Sequence, residues 1–198
     1  IIWLVALASF VALNFGYLLL AFVLAKIKDK AVQKSHRFVP FISILIPCYN
    51  VESIIERKIK NTLEIDYPRS NFEIIVIESG STDNTWSVLS RNFSSGEIKL
   101  IRQLERLGKS SAINLGIKEC KGEIVILTDA DARLEKEAIR ELIKNFADQS
   151  VGAVVGNLIL TPGKSVASRM NCWFHHSFRQ KLRIWESAFD SASFWSGE

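Results

Sequence analysis

Four short β-branched runs divide residues 42–146, and the stretches between them carry apolar residues at helical spacing. That alternation limits what the chain can fold into more than any other feature. Residues 42–47 (Ile-Ser-Ile-Leu-Ile-Pro), 72–77, 97–102 and 124–127 read as strands, each bounded by turn-forming residues. Residues 51–64 place Ile54, Ile55, Ile59 and Leu63 on one side with Glu and Lys between them, and residues 134–146 do the same with Ala138, Ile139, Leu142, Ile143 and Phe146. Residues 84–91 and the stretch opened by Gly108-Lys109-Ser110 supply two more helices. The expected fold is therefore α/β: a mostly parallel sheet with helices on both faces, binding ligands beyond the carboxyl ends of its strands. Residues 151–160 read as one strand more, and 124–127 as a strand buried on both faces.

The run at 123–131, Glu-Ile-Val-Ile-Leu-Thr-Asp-Ala-Asp, ends in two carboxylates one residue apart. Alternate side chains of an extended chain point the same way, so Asp129 and Asp131 can converge just past the strand. Such a pair suits Mg²⁺ or Mn²⁺, which take one or two protein carboxylates and fill the remaining positions with water and phosphate oxygens. The plainer alternative makes Asp131 a helix cap and Asp129 a solvated strand end.

Much of the 48% apolar content lies in residues 1–25, which carry no charge and only Ser9 and Asn14 as clearly polar side chains. As a helix this stretch would be about 37 Å long, against roughly 30 Å of hydrocarbon, so it is expected to be a transmembrane helix. Residues 26–41 then form a basic linker with Lys26, Lys28, Lys30, Lys34 and Arg37. By the positive-inside bias their charge predicts that the following domain, 42–198, is cytoplasmic, in a protein expected to be integral to the plasma membrane. Cys48, Cys120 and Cys172 fit no zinc spacing and agree with a reducing compartment. A net charge of +4, partly juxtamembrane, gives no argument for nucleic acid. Residue 1 is not Met and Ser196-Gly197-Glu198 brings no helix end, so the sequence is expected to be part of a longer protein.

The expected topology gathers several polar residues on one rim. Tyr49 and Asn50 follow the first strand, Glu78 and Ser79 the second, Lys109 lies beyond the third, and Asp129 and Asp131 end the fourth. A carboxylate such as Glu78 can accept from a nucleobase imide or a ribose hydroxyl, and Lys109 at a helix start can meet a diphosphate. Taken singly, Glu78 reads better as an exposed turn acid and Lys109 as a surface lysine; taken together, those plainer readings need four coincidences at one edge.

Residues 42–50 (Ile-Ser-Ile-Leu-Ile-Pro-Cys-Tyr-Asn), 75–85 (Ile-Val-Ile-Glu-Ser-Gly-Ser-Thr-Asp-Asn-Thr), 108–114 (Gly-Lys-Ser-Ser-Ala-Ile-Asn) and 128–131 (Thr-Asp-Ala-Asp) together resemble the family-2 glycosyltransferases of GT-A (Rossmann-like) fold. The resemblance implies a metal-dependent, inverting transfer of a sugar from a nucleotide-sugar donor to a polysaccharide or lipid-linked acceptor. It implies that Pro47, Tyr49, Asn50, Glu78 and Ser79 line the nucleoside site, that Lys109 and Asp129 help hold the nucleotide, and that Asp131, with Asp129, binds Mg²⁺ or Mn²⁺. Two departures stand out: Glu78 replaces the family's usual Asp, and Ser79 a frequent second Asp.

Residues 166–185 read as one amphipathic helix with Met170, Trp173, Phe174, Phe178 and Trp185 among Arg169, Arg179, Lys181 and Arg183, either at a membrane surface or packed on the domain. His175 and His176 are adjacent and cannot share a metal from a helix. By the resemblance, Trp195, Ser196 and Gly197 lie on the acceptor side, and the general base belongs to a motif downstream of Glu198. The 198 residues alone are thus expected to bind donor and transfer poorly. Three readings follow: a processive polysaccharide synthase, a single-addition transferase, and a membrane-tethered nucleotide-sugar binding module without catalysis. A dinucleotide oxidoreductase is disfavoured, because no Gly-x-Gly-x-x-Gly follows the first strand.

Overall fold

A computed structural model describes residues 2–27, 31–93, 96–160, 163–174, 177–178 and 180–189. The chain divides into two compact units, one of residues 34–154 and one of residues 1–33 with 155–197.

Residues 34–154 hold the sheet. Strands β1 (Ile42–Cys48), β2 (Phe72–Ser79), β3 (Lys99–Gln103) and β4 (Ile124–Leu127) pair in the order β3-β2-β1-β4. Every pairing is parallel, with Cys48 opposite Glu78, Ser79 opposite Gln103 and Leu45 opposite Leu127. All four carboxyl ends therefore leave the sheet along one edge. Parallel strands need crossovers, and the helices supply them: α2 (Ile55–Leu63), α3 (Thr85–Asn92) and α4 (Lys109–Ile117), with α5 (Ala138–Ile143) after β4.

The alternation of side chains along β1 and β2 splits the core in two. Ile42, Ile44, Ile46, Ile74 and Val76 pack with Ile55 and Ile59 of α2, Leu89 of α3, and Ile139 and Ile143 of α5. Leu45, Ile75 and Ile77 point the other way, against Ala112 of α4. Helices on both faces are thus found as expected. At Gly116 a Cβ would lie 2.4 Å from Leu45 Cδ1 and 2.7 Å from Ile77 Cδ1, so any larger residue would have to displace both buried side chains where α4 lies on the sheet.

Two expectations need correction here. β4 is not buried on both faces: it is the sheet's edge among the described residues, and Val125 and Leu127 stay 41% and 45% exposed while Ile124 and Ile126 pack inward. Residues 151–160 form no strand, having no ladder partner among the described residues, and Val155 and Ile159 are exposed. Of the helix expected at 166–185, α6 (Val166–Phe174), the helical residues 177–178 and α7 (Gln180–Phe189) are described, while residues 175, 176 and 179 lie outside the described residues.

In the other unit, α1 (Ile2–Ile27) runs through the apolar start of the chain. Among the described residues no helix is long and apolar enough to cross a membrane, so the transmembrane assignment of residues 1–25 is not carried by the structure. The side chains of Ala8, Val11, Leu13 and Asn14 lie outside the described residues. α1 packs on α7: the Tyr17 hydroxyl donates to the Glu186 carboxylate, and Phe22 meets Trp185 edge-on at 5.3 Å between ring centres.

Candidate active site

The rim is assembled from turns that the strands release together. After β2 the chain reverses through Gly80 at φ +64°, and the backbone N–H of Ser81 donates back to Glu78 Oε1. A side chain at Gly80 would meet the backbone of Arg106 at 2.7 Å, so the 104–108 loop rests on this turn. After β1, Asn50 adopts a left-handed φ of 51°, a conformation asparagine tolerates better than most residues. Its amide exchanges hydrogen bonds with Thr82, donating to Oγ1 at 3.2 Å and accepting from the backbone N–H at 2.9 Å. Val51 N–H donates to Thr85 Oγ1, Glu52 N–H to Asp83, and Asn84 N–H to Glu52, so the loops after β1 and β2 are stitched into one lip.

Glu78 is fully buried, and its Oε2 has no hydrogen-bond donor among the described residues. The nearest cation is Arg102, with Nε at 3.5 Å, itself stacked over Trp86 at 4.6 Å. A buried carboxylate oxygen without a donor is costly, and a ligand N–H or O–H would relieve it. Tyr49 is half-buried with the Arg106 guanidinium 4.1 Å over its ring, so one face of the ring is already covered. Ser79 donates to Gln103 Oε1 at 2.6 Å, and Gln103 donates on to Ser111 at 2.9 Å, which ties the start of α4 to the ends of β2 and β3. Cys48, opposite Glu78, is buried; burial first, then the charges of Glu78 and Asp83, push its thiol up to about 12.

At the β4 end, Lys109 Nζ pairs with Asp129 Oδ1 at 2.7 Å, joining the first residue of α4 to the turn after β4. Asp131 is exposed, and no hydrogen bond or ion pair holds its carboxylate among the described residues. Beneath them lies Lys58 of α2, only 3% exposed, donating to Thr128 Oγ1 at 2.7 Å and to the Ala132 carbonyl at 2.6 Å. Burial brings its ammonium down to about 8, against the opposing pull of Asp129 and Asp131.

The structure therefore brings Tyr49, Glu78, Lys109, Asp129 and Asp131 to the carboxyl edge of one sheet. Pro47 is buried within β1, while Asn50 and Ser79 direct their polar atoms into the protein itself. Among the described residues no cluster of three or more His, Cys, Asp or Glu could hold a metal alone. Asp129 is shared with Lys109, so Asp131 is the free oxygen donor, a set that fits a hard cation completed by phosphate and water. Trp195, Ser196, Gly197, His175 and His176 lie outside the described residues. Sequence reasoning missed Lys58, Asn61, Arg102 and Arg106. A lysine at 58, on the face of α2 that also presents Ile55, Ile59 and Thr62, was the available signal. A cavity of about 630 Å³ lined by Phe72, Glu73, Lys99 and Lys121 lies at the opposite, amino ends of β2 and β3, away from these groups.

The family model described as glycosyl transferase family 2 matches residues 43–197. The chain belongs to this family. A poly-beta-1,6-N-acetyl-D-glucosamine synthase of Staphylococcus epidermidis is 33% identical over 127 residues, 64% of this chain and 30% of that protein. Its namesake in Staphylococcus aureus (strain COL) is 35% identical over 117 residues, 59% and 28% of the two chains. Among solved structures, the mannosyltransferase PcManGT from Pyrobaculum calidifontis, in complex with GDP-Man and Mn²⁺, superposes with a TM-score of 0.72 at 32% identity, covering 91% of this chain and 50% of that one. The chain thus spans under a third of the curated relatives' length and half of the mannosyltransferase's.

Proposed function

We propose that residues 34–154 hold a nucleoside diphosphate sugar along the carboxyl edge of the sheet, and that the whole protein transfers its sugar, with inversion, to a growing polysaccharide or a lipid-linked acceptor. One observation carries the reading: Lys109 and Asp129 form a 2.7 Å ion pair beside an Asp131 whose carboxylate no hydrogen bond or ion pair holds among the described residues. Glu78 Oε2 accepts from the base or ribose, Tyr49 borders the nucleoside, and Lys109 at the α4 start faces the diphosphate. Asp131 would hold Mn²⁺ or Mg²⁺, with Asp129 beside it; when bound, the ion supplies charge neutralisation to the leaving diphosphate. The Mn²⁺ held with GDP-Man by the mannosyltransferase supports the metal, and the product named for the staphylococcal relatives supports a polymer acceptor.

The protein works at the cytoplasmic face of a membrane. Supporting this, α1 exposes Trp3 and Leu4 at 87% and 70%, and α6 exposes Met170, Trp173 and Phe174. Lys26 lies in the last turn of this apolar helix, and Lys34 and Arg37 follow it in sequence. Recovery of the protein in the wash after carbonate treatment of membranes would oppose the lipid contact.

The test is release and transfer of labelled sugar from UDP- and GDP-linked donors by the full-length protein with Mn²⁺. Asp131→Ala should lower turnover by at least a hundredfold, as should excess EDTA. Undiminished turnover in either case refutes the metal assignment. Donor binding without transfer by the full-length protein would instead establish a non-catalytic binding module.

A further inference from the structure

α2 carries two polar side chains that leave their own helix to hold one segment. Lys58 reaches Thr128 Oγ1 at 2.7 Å and the Ala132 carbonyl at 2.6 Å, acceptors that lie immediately before and after Asp129-Ala130-Asp131. One turn later Asn61 makes a paired contact with the backbone of Leu134, donating to its carbonyl at 2.9 Å and accepting from its N–H at 2.8 Å. Between these anchors the chain turns tightly, with Ala132 N–H donating to the Asp129 carbonyl. Four hydrogen bonds from a single helix face thus fix residues 128–134.

Packing alone does not call for a lysine there. Its neighbours on the buried face are Ile55, Ile59 and Thr62, and a methionine would fill the volume without desolvating an ammonium, which costs several kcal/mol unless compensated. The compensation is specific: both acceptors, Thr128 Oγ1 and the Ala132 carbonyl, belong to the carboxylate turn. We infer that Lys58 is a positioning residue for this turn, gripping it on both sides so that Asp131 projects free toward the rim and Asp129 stays within reach of Lys109. This rests on the reading of Asp131 as a metal ligand.

Two effects of the lysine on a bound cation have opposite sign, which makes the inference testable. A positive charge under two carboxylates repels a metal, so deleting it should by itself tighten Mn²⁺ binding. Loss of the grip should loosen the turn and weaken binding, and the inference requires this second effect to dominate. The experiment is Mn²⁺ titration of the purified 198-residue chain followed by electron paramagnetic resonance, with a thermal melt of each variant. Lys58→Met is expected to raise the Mn²⁺ dissociation constant about tenfold, with Asn61→Ala giving a smaller rise. Thr128→Val keeps the cation and removes one acceptor, so a raised dissociation constant there reports the grip even where Lys58→Met does not fold. If Asp131→Ala abolishes Mn²⁺ binding while Lys58→Met and Thr128→Val bind as tightly as the parent, the positioning role is overturned. If Asp131→Ala binds Mn²⁺ like the parent, it is the metal reading that fails.

Discussion

Replacing Glu78 with Gln separates ligand recognition from stability at one atom. Glu78 Oε1 already accepts from Ser81 N–H, and a glutamine carbonyl keeps that bond. The change falls on Oε2, buried and without a donor of its own among the described residues, which becomes an amide N–H₂. Its ion pair with Arg102 at 3.5 Å is weak, since the arginine side chain is 44% exposed and well screened by solvent. Stability should therefore change by less than about 1 kcal/mol. Ligand binding should change more: a hydrogen bond to a charged acceptor contributes about 1.5–3 kcal/mol, and the new N–H₂ would face the donor group it formerly accepted from. At about 1.4 kcal/mol per tenfold, nucleoside diphosphate affinity should fall roughly 10- to 150-fold. Isothermal titration with UDP and GDP, beside a thermal melt, reads both quantities. Affinity within twofold of the parent for both nucleotides would refute the assignment of Oε2 as the nucleoside acceptor. Glu78→Asp, which withdraws the acceptor by about one C–C bond, should give an intermediate loss.

The other predictions concern packing and protonation. Gly116→Ala places a methyl 2.4 Å from Leu45 Cδ1 in a fully buried layer, and should cost about 1–3 kcal/mol in chemical denaturation; an unchanged midpoint would contradict the close approach of α4. The metal-free protein should gain stability as pH rises from about 8 to 10.5, because Lys58 holds its proton less tightly folded than unfolded. The gain is up to about 3 kcal/mol at 1.36 kcal/mol per pKa unit, and Lys58→Met should lack it. Cys48 should resist iodoacetamide at pH 8 while the half-buried Cys120 and Cys172 react first, as read by mass spectrometry; early labelling of Cys48 would contradict its burial.

The layered fold was legible because burial on two faces leaves a simple trace: Ile44, Leu45 and Ile46 are all apolar, yet they serve opposite cores. The rim was legible for the same reason, since parallel strands release Glu78, Lys109 and Asp129 on one edge regardless of loop detail. Residues 151–160 misled because an apolar run with β-branched residues specifies extended backbone only where a partner strand exists. β4 misled in the same way: Val125 and Leu127 are as apolar as buried residues, and composition does not say which strand stands at the edge. Lys58 and Arg106 escaped because their roles depend on contacts 70 or more and 57 positions away, Lys58 with Thr128 and Ala132, Arg106 with Tyr49.

The bonding between Asn50 and Thr82, Val51 and Thr85, and Glu52 with Asp83 and Asn84 has a consequence for how a nucleotide would be met. A lip braced by its own partners is already in its holding shape, so an arriving nucleoside need not freeze wandering backbone there. Selectivity at this end should come from shape and a few fixed polar atoms, and the entropic toll of capture should fall elsewhere, on whatever part of the protein receives the acceptor.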